Sequence, residues 1–144
     1  MSRLTDGHPT TISFSAGTSA AAYLWEKTVT PPGVSGGGEN DTTNMHNSIW
    51  RTRQPKVLKT LSNMSFDAQY DPAIYDEIVG MVNVNQQITV TFSDGSTLVF
   101  WGWLDEFTPG SCEEGTPPIA SCTIIPSNLN DSDVETAPVY APAA

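Results

Sequence analysis

Positions 86–92 alternate between polar and apolar side chains with a period of two, and with the turn and second apolar run that follow, to residue 107, they predict a β-hairpin. In QQITVTF (86–92), Ile88, Val90 and Phe92 fall on one face and Gln87, Thr89 and Thr91 on the other. The segment SDGS (93–96) follows, with Asp94-Gly95 as the dipeptide of a type I′ turn. The return arm TLVFWGWLDEF (97–107) is apolar on both sides, with Val99, Trp101 and Trp103 opposite Leu98, Phe100 and Leu104. Such a strand must be covered on both faces, by its own domain or by a partner.

The same reading finds strands at TTISFS (10–15), AYLWEKTVT (22–30), SIWRTR (48–53), VLKTLSNMSFDAQY (57–70) and IASCTIIPSNL (119–129). One helix is predicted, DPAIYDEIVGMV (71–82), capped by Asp71 with Pro72 at its first position. Its apolar stripe of Ile74, Ile78 and Met81 or Val82 needs a sheet to pack on. Strands outnumber helices and do not alternate with them. The predicted fold is therefore mainly β, two packed antiparallel sheets of a sandwich-like or barrel-like kind, with one flanking helix.

Residues 31–47, PPGVSGGGENDTTNMHN, lack either periodicity. A patternless run of more than about 12–15 residues is uncommon in a compact domain and is usually functional or disordered. Three divisions follow: an N-terminal arm (1–9), a β domain (10–130) and an acidic, Ala/Pro-rich tail (131–144) expected to be mobile.

Charge narrows the function classes. The chain has 144 residues with 16 acids against 6 bases, a formal charge of −10. Phosphate-rich partners need clustered Lys and Arg, so nucleic-acid clamps and anionic-membrane binders are disfavoured. Arg51, Arg53, Lys56 and Lys59 do cluster, either as a solvated strand face or as a meeting place for a neighbour's acids. MSRLTDGHPTT contains no apolar stretch of signal-peptide type, so synthesis in a cytoplasm is expected, with Cys112 and Cys122 as free thiols.

Candidate chemistry is sparse. His8 and His46 stand far apart, and Asp105-Glu106 point to opposite faces of a strand and cannot share a proton. No nucleophile, phosphate-loop or zinc motif occurs, so neither enzymatic activity nor a cofactor is expected. Asp131, Asp133 and Glu135 lack the glycine and closing glutamate of a calcium loop and read as solvated charge. Trp25, Trp50, Trp101 and Trp103 offer an alternative, a carbohydrate-binding sandwich in which exposed rings stack on sugars.

Four pieces in order resemble the tail tube proteins of long-tailed bacteriophages. They are LWEKTVTPPG running into GGGENDTTNM, WRTRQPKVLKTLSNMSFDAQYDPAIYDEI, VTFSDGSTLVFWGWLDEF and CTIIPSN. The resemblance spans residues 10–130. It implies a virion structural protein, assembled in the host cytoplasm, whose six-fold rings stack into a tube. It also implies contacts with tape-measure and tail-tip proteins, DNA passing through without specific binding, and no membrane. A tail terminator or head–tail joining protein would share these traits.

In that family the long loop reaches a neighbouring subunit. The resemblance therefore makes Gly36, Gly37, Gly38, Glu39, Asn40, Asp41, Thr42, Thr43 and Asn44 an assembly loop. Alternation offers Glu26, Thr28, Gln87, Thr89 and Thr91 as residues facing a lumen. An acidic wall suits a DNA conduit, because a wall that attracted phosphate would stall the duplex.

Overall fold

The structure is a computed structural model that describes residues 10–14 and 24–142. His8, Tyr23 and the arm 1–9 lie outside the described residues. Six strands form one continuous antiparallel path: β1 (Thr11–Phe14), β2 (Leu24–Thr30), β7 (Met64–Tyr70), β8 (Gln86–Thr91), β9 (Thr97–Pro109) and β10 (Ile119–Pro126). Their spatial order is β1-β8-β9-β10-β7-β2, and β11 (Val139–Ala141) joins as a seventh strand beside β9. Four short strands, β3 (Val34–Ser35), β4 (Glu39–Asp41), β5 (Arg53–Pro55) and β6 (Thr60–Leu61), lie off this sheet.

The sheet folds into two packed halves because β9 serves both. Its first residues pair with β8 (Gln86↔Gly102 to Thr91↔Thr97), and its last pair with β10 (Pro126↔Gly102 to Ala120↔Pro109). Gly102 stands at the hand-over. A Cβ there would lie 2.6 Å from the Ile125 carbonyl oxygen and 3.0 Å from the Pro126 Cα, so only glycine admits the approach. Inward side chains of both halves then meet: Ile12, Phe14, Ile88, Val90 and Phe100 from one, Met64, Phe66, Ala68, Leu104 and Ile124 from the other. The Phe14 and Phe66 rings touch across this core, with centroids 6.4 Å apart. Burying each such large side chain contributes about 1.5–3 kcal/mol.

The helical segment is a 3₁₀ turn, Pro72–Ile74, continued by α1 (Tyr75–Gly80). The Asp71 carboxylate caps it by accepting the Ala73 N–H at 3.0 Å. Ile78 is buried, and Tyr70, Tyr75 and Phe107 hold the helix down through edge-on ring contacts with centroids 5.3–6.3 Å apart. Asn83 ends it at φ 64, donating its N–H to the Leu104 carbonyl. The helix is thus shorter than the predicted 71–82, because Val82 leaves it to bridge to Leu104.

Three further expectations are corrected. The 93–96 turn is not type I′, since only Gly95 takes a positive φ (91). Phe92 and Ser96 close it instead, and Asp94 Oδ1 accepts both the N–H and the hydroxyl of Ser96. This is a type I turn followed by a left-handed glycine. The segment 48–53 is a strand only from Arg53 onward. The C-terminal residues expected to be mobile are tied down, with Val139, Tyr140 and Ala141 paired to Val99, Leu98 and Thr97.

Candidate assembly interface

Residues 33–62 form a projecting two-stranded arm. At its base, Gly33 N–H donates to Ser62 Oγ and Ser62 N–H to the Gly33 carbonyl, both at 2.7 Å. β3 then pairs with β6 (Val34↔Leu61, Ser35↔Thr60). Gly36-Gly37-Gly38 interrupt the ladder, with φ 80 at Gly37 and 97 at Gly38. β4 pairs with β5 beyond the break (Glu39↔Pro55, Asn40↔Gln54, Asp41↔Arg53). The expected patternless loop is therefore one side of a hairpin. It escaped the periodicity search because β3, β4 and β5 are exposed on both faces and need no alternation.

Every residue of the proposed assembly loop lies on this arm. Two of the four clustered bases are paired within it, Arg53 to Glu39 at 3.0 Å and Arg51 to Asp41 at 3.5 Å. Thr43 hydrogen bonds, from the side chain first and the backbone second, hold the Asp41 carboxyl below its usual pKa range.

The tip is organised by its own polar groups. Thr43 Oγ1 accepts the Thr52 N–H at 3.0 Å, and Thr42 N–H donates to the Thr52 carbonyl at 3.0 Å. Asn47 Nδ2 donates to the Trp50 carbonyl at 2.7 Å, and Asn44 Oδ1 accepts the His46 N–H at 2.8 Å. With the polar groups satisfied internally, the apolar side chains are left outside: Met45 is 97% exposed, Ile49 82% and Trp50 80%. Nearer the base, Val57 and Leu58 are likewise exposed. Sequence reasoning missed these residues as a group, because they are apolar yet follow neither period.

The proposed lumen residues do not come together. Lys27 is a bulge in β2, so Glu26 pairs with Ala68 and Thr28 with Asp67. The extra residue reverses the alternation. Glu26 and Val29 share the side of buried Ala68 and Phe66, whereas Trp25, Thr28 and Thr30 lie on the outer side. Glu26 is thus a half-buried seam residue whose Oε1 accepts the Ile12 N–H at 3.2 Å. Burial pushes its carboxyl pKa up, against backbone hydrogen bonds that lower it. Gln87, Thr89 and Thr91 sit on the outer side of the other half, beside Trp101, Val99 and Thr97. Thr28 and these three residues face opposite sides of the sandwich.

Around Thr28 the structure assembles a polar wall that the sequence did not mark. Thr28, Thr30, Ser65, Asp67, Ser121 and Thr123 line a shallow depression of about 270 Å³, and Glu106 and Thr108 pair with Thr123 and Ser121 at its edge. Ser121 Oγ donates to Asp67 Oδ1 at 3.0 Å, and Thr108 Oγ1 to Glu106 Oε1 at 2.7 Å. Lys27, the exposed bulge residue of β2, is the one base in the four strands that carry it.

The remaining candidates stand apart. Trp101 and Trp103 are half-buried on β9, Trp25 lies on β2 and Trp50 at the arm tip. Cys112 and Cys122 are free thiols; burial first, then Asp67 and Glu106, push the Cys122 pKa up to about 12. Asp131, Asp133 and Glu135 belong to a turn in which Asn130 Oδ1 accepts the N–H groups of Ser132 and Val134. Among the described residues no cluster of His, Cys, Asp and Glu is placed to hold a metal, and no helix is long and apolar enough to cross a membrane.

The arrangement defines a class: an antiparallel sandwich with a projecting, apolar-tipped arm and one acidic, hydroxyl-rich face. No family model and no curated protein matches the chain. Ten chains of solved structures do match. One is from the cryo-EM structure of the anti-feeding prophage baseplate, 6-fold symmetrised, with a TM-score of 0.61 at 8% identity, covering 88% of this chain and 94% of that one. At that identity the likeness is one of fold.

Proposed function

We propose that the chain is a structural protein of a phage-type tail, and within that class a tube-forming subunit whose rings stack around a DNA channel. The arm carries this reading. Large apolar side chains held out by an internally bonded polar tip stay unfavourably exposed to water until a partner covers them. The fold shared with a chain of the anti-feeding prophage baseplate supports the coarser statement. The acidic hydroxyl face supports the finer one, because it offers hydroxyls for water and carboxylates that repel phosphate.

Under this reading Thr28, Asp67, Ser121, Thr123 and Glu106 face the lumen, and Gln87, Thr89 and Thr91 face away from it. Glu26 remains at the seam. Partners would be further copies of the chain and tape-measure and tail-tip proteins, in a virion tail assembled in the host cytoplasm. Residues 10–130 would form the ring domain and 131–144 would brace it. Electron microscopy of the concentrated protein, alone and with a tail-tip complex, tests the proposal. Six-fold rings or tubes are expected, and a strict monomer at millimolar concentration under both conditions would refute it.

A further inference from the structure

The arm is built in two pieces. Its base is fixed to the body: Leu61 is buried in the core, and Gly33 and Ser62 are joined by two hydrogen bonds of 2.7 Å. Its distal part, 39–55, is held together by its own groups. There β4 pairs with β5, Arg53 and Arg51 reach Glu39 and Asp41, and Thr42 and Thr43 bond to Thr52.

Between the two pieces the ladder fails. The base pairs end at Ser35↔Thr60, and the distal pairs begin at Glu39↔Pro55. Three residues (36–38) fill the gap on the outward strand and four (56–59) on the return, so the ladders are one residue out of register. An unequal count of this kind bends a ladder and disrupts its hydrogen bonding. The bonds at the gap are long: Lys56 N–H donates to the Gly38 carbonyl at 3.4 Å, and Gly37 N–H to the Ser35 hydroxyl at 3.3 Å. Packing does not brace it either. Residues 56–59 are exposed, and a Cβ placed at Gly36 or Gly38 would meet no atom within 4 Å. Gly37 and Gly38 hold φ of 80 and 97, values that glycine leaves for negative φ without steric cost.

We propose that segments 36–38 and 56–59 form a hinge, on which residues 39–55 turn as one rigid piece against the fixed base. The exposed apolar side chains of Met45, Ile49 and Trp50 travel with that piece. Their direction relative to the sandwich is therefore set by the hinge and not by the body, on the ns–μs timescale of loop motion. No buried contact and no regular ladder has to break when the arm turns, which separates a hinge from local unfolding. The inference goes beyond the assembly reading: it concerns the free subunit and holds whether or not rings form.

Distances between paired spin labels test it in the dilute Cys112→Ser protein, where buried Cys122 stays unlabelled. Three double variants are compared, with the body label at Glu77, exposed on α1. Glu77→Cys with Asn40→Cys spans the hinge, Glu77→Cys with Thr60→Cys reports the base, and Asn40→Cys with Ile49→Cys reports the distal piece. The first should give a distance distribution at least about twice as wide as the other two. A repaired arm carries Gly36→Thr, Gly37→Thr and Gly38→Thr with Val57 deleted, which restores equal counts and strand-forming residues. Its hinge-spanning distribution should narrow to the width of the base pair. Three equally narrow distributions in the parent overturn the proposal, since the arm would then be a single rigid piece. A broad base pair moves the motion to the arm's root, and a broad distal pair means that 39–55 is not rigid. A repaired arm that stays broad takes the motion away from the gap. Each of these results also overturns the proposal.

Discussion

The Ile12 backbone N–H donates to the Glu26 carboxylate at 3.2 Å, and this contact joins the two end strands of the main sheet path. Among the described residues β1 and β2 form no backbone ladder with each other, so the sheet described is folded over but not closed. One half-buried carboxylate bridges the seam. Glu26→Ala should cost about 1–2 kcal/mol by removing the acceptor, while Glu26→Gln, which keeps an oxygen there, should change stability by less than about 0.5 kcal/mol. Urea midpoints of the two variants measure this; an Ala variant as stable as the parent would show that the seam holds without Glu26. Burial raises the folded-state pKa above the ordinary 4.5, so protonation favours the fold: the stability linked to Glu26 titration is full below that value and lost as pH rises through the folded pKa, while the Ile12 hydrogen bond, which favours the carboxylate, limits that loss.

Gly102 allows β9 to pass from one half to the other. Gly102→Ala places a methyl 2.6 Å from a backbone oxygen, which no rotamer change relieves. A loss of about 1–3 kcal/mol is expected in chemical denaturation. A neutral result would mean that β9 and β10 separate easily at that point.

The thiols should behave oppositely. Cys112 is exposed and should react with a thiol reagent in the native protein, and buried Cys122 only after unfolding. With the Cys122 pKa pushed up to about 12 from 9.0, the unfolded state loses its proton first as pH rises. Stability is therefore full below about pH 9 and falls towards pH 12, by at most about 4 kcal/mol. Urea midpoints between pH 8 and 11 give the slope, and Cys122→Ala should flatten it.

Removing residues 39–55 and joining the stumps through a short Gly-Ser turn should leave the monomer's melting transition nearly unchanged. Those residues are almost all exposed, and loop length costs little folding free energy. Self-association, followed by sedimentation, should be lost. A variant that unfolds instead would place the arm in the core.

The acidic wall can be reversed with Asp67→Lys combined with Glu106→Lys. Both side chains are outside the core, so the monomer should fold. In assembled tails the variant should slow DNA passage, more at low salt than at high, because each ring would then attract phosphate. An ejection rate unchanged at low salt would remove this face from the lumen.

How much of this was legible in the chain depended on what each pattern could encode. The β8–β9 hairpin was readable because one face of β8 is buried and the other is not, and burial imposes the period of two. The arm was not readable, since hydrogen bonds between exposed strands leave no trace in polarity. Glu26 was misplaced for a single reason: the bulge at Lys27 inserts one residue, which exchanges the faces before and after it. The pairing of Val139–Ala141 was hidden by its Ala/Pro-rich surroundings, which resemble a mobile tail in composition. The polar wall needed strand order, because its residues come from four segments that are distant in the chain.

The uneven charge of arm and body has a kinetic consequence. Residues 31–62, with four bases against two acids, carry +2 and the remainder −12, but the tip itself (39–55) is balanced, so the positive excess is Lys56 and Lys59 towards the arm's base. Two copies meeting body to body repel, whereas a charge-balanced arm tip presented to a body is not repelled, and within a Debye length of about 8–10 Å that difference acts before the surfaces touch. Encounters are thereby sorted by orientation in solution. The acidic excess that keeps free subunits apart also favours their joining in one sense only.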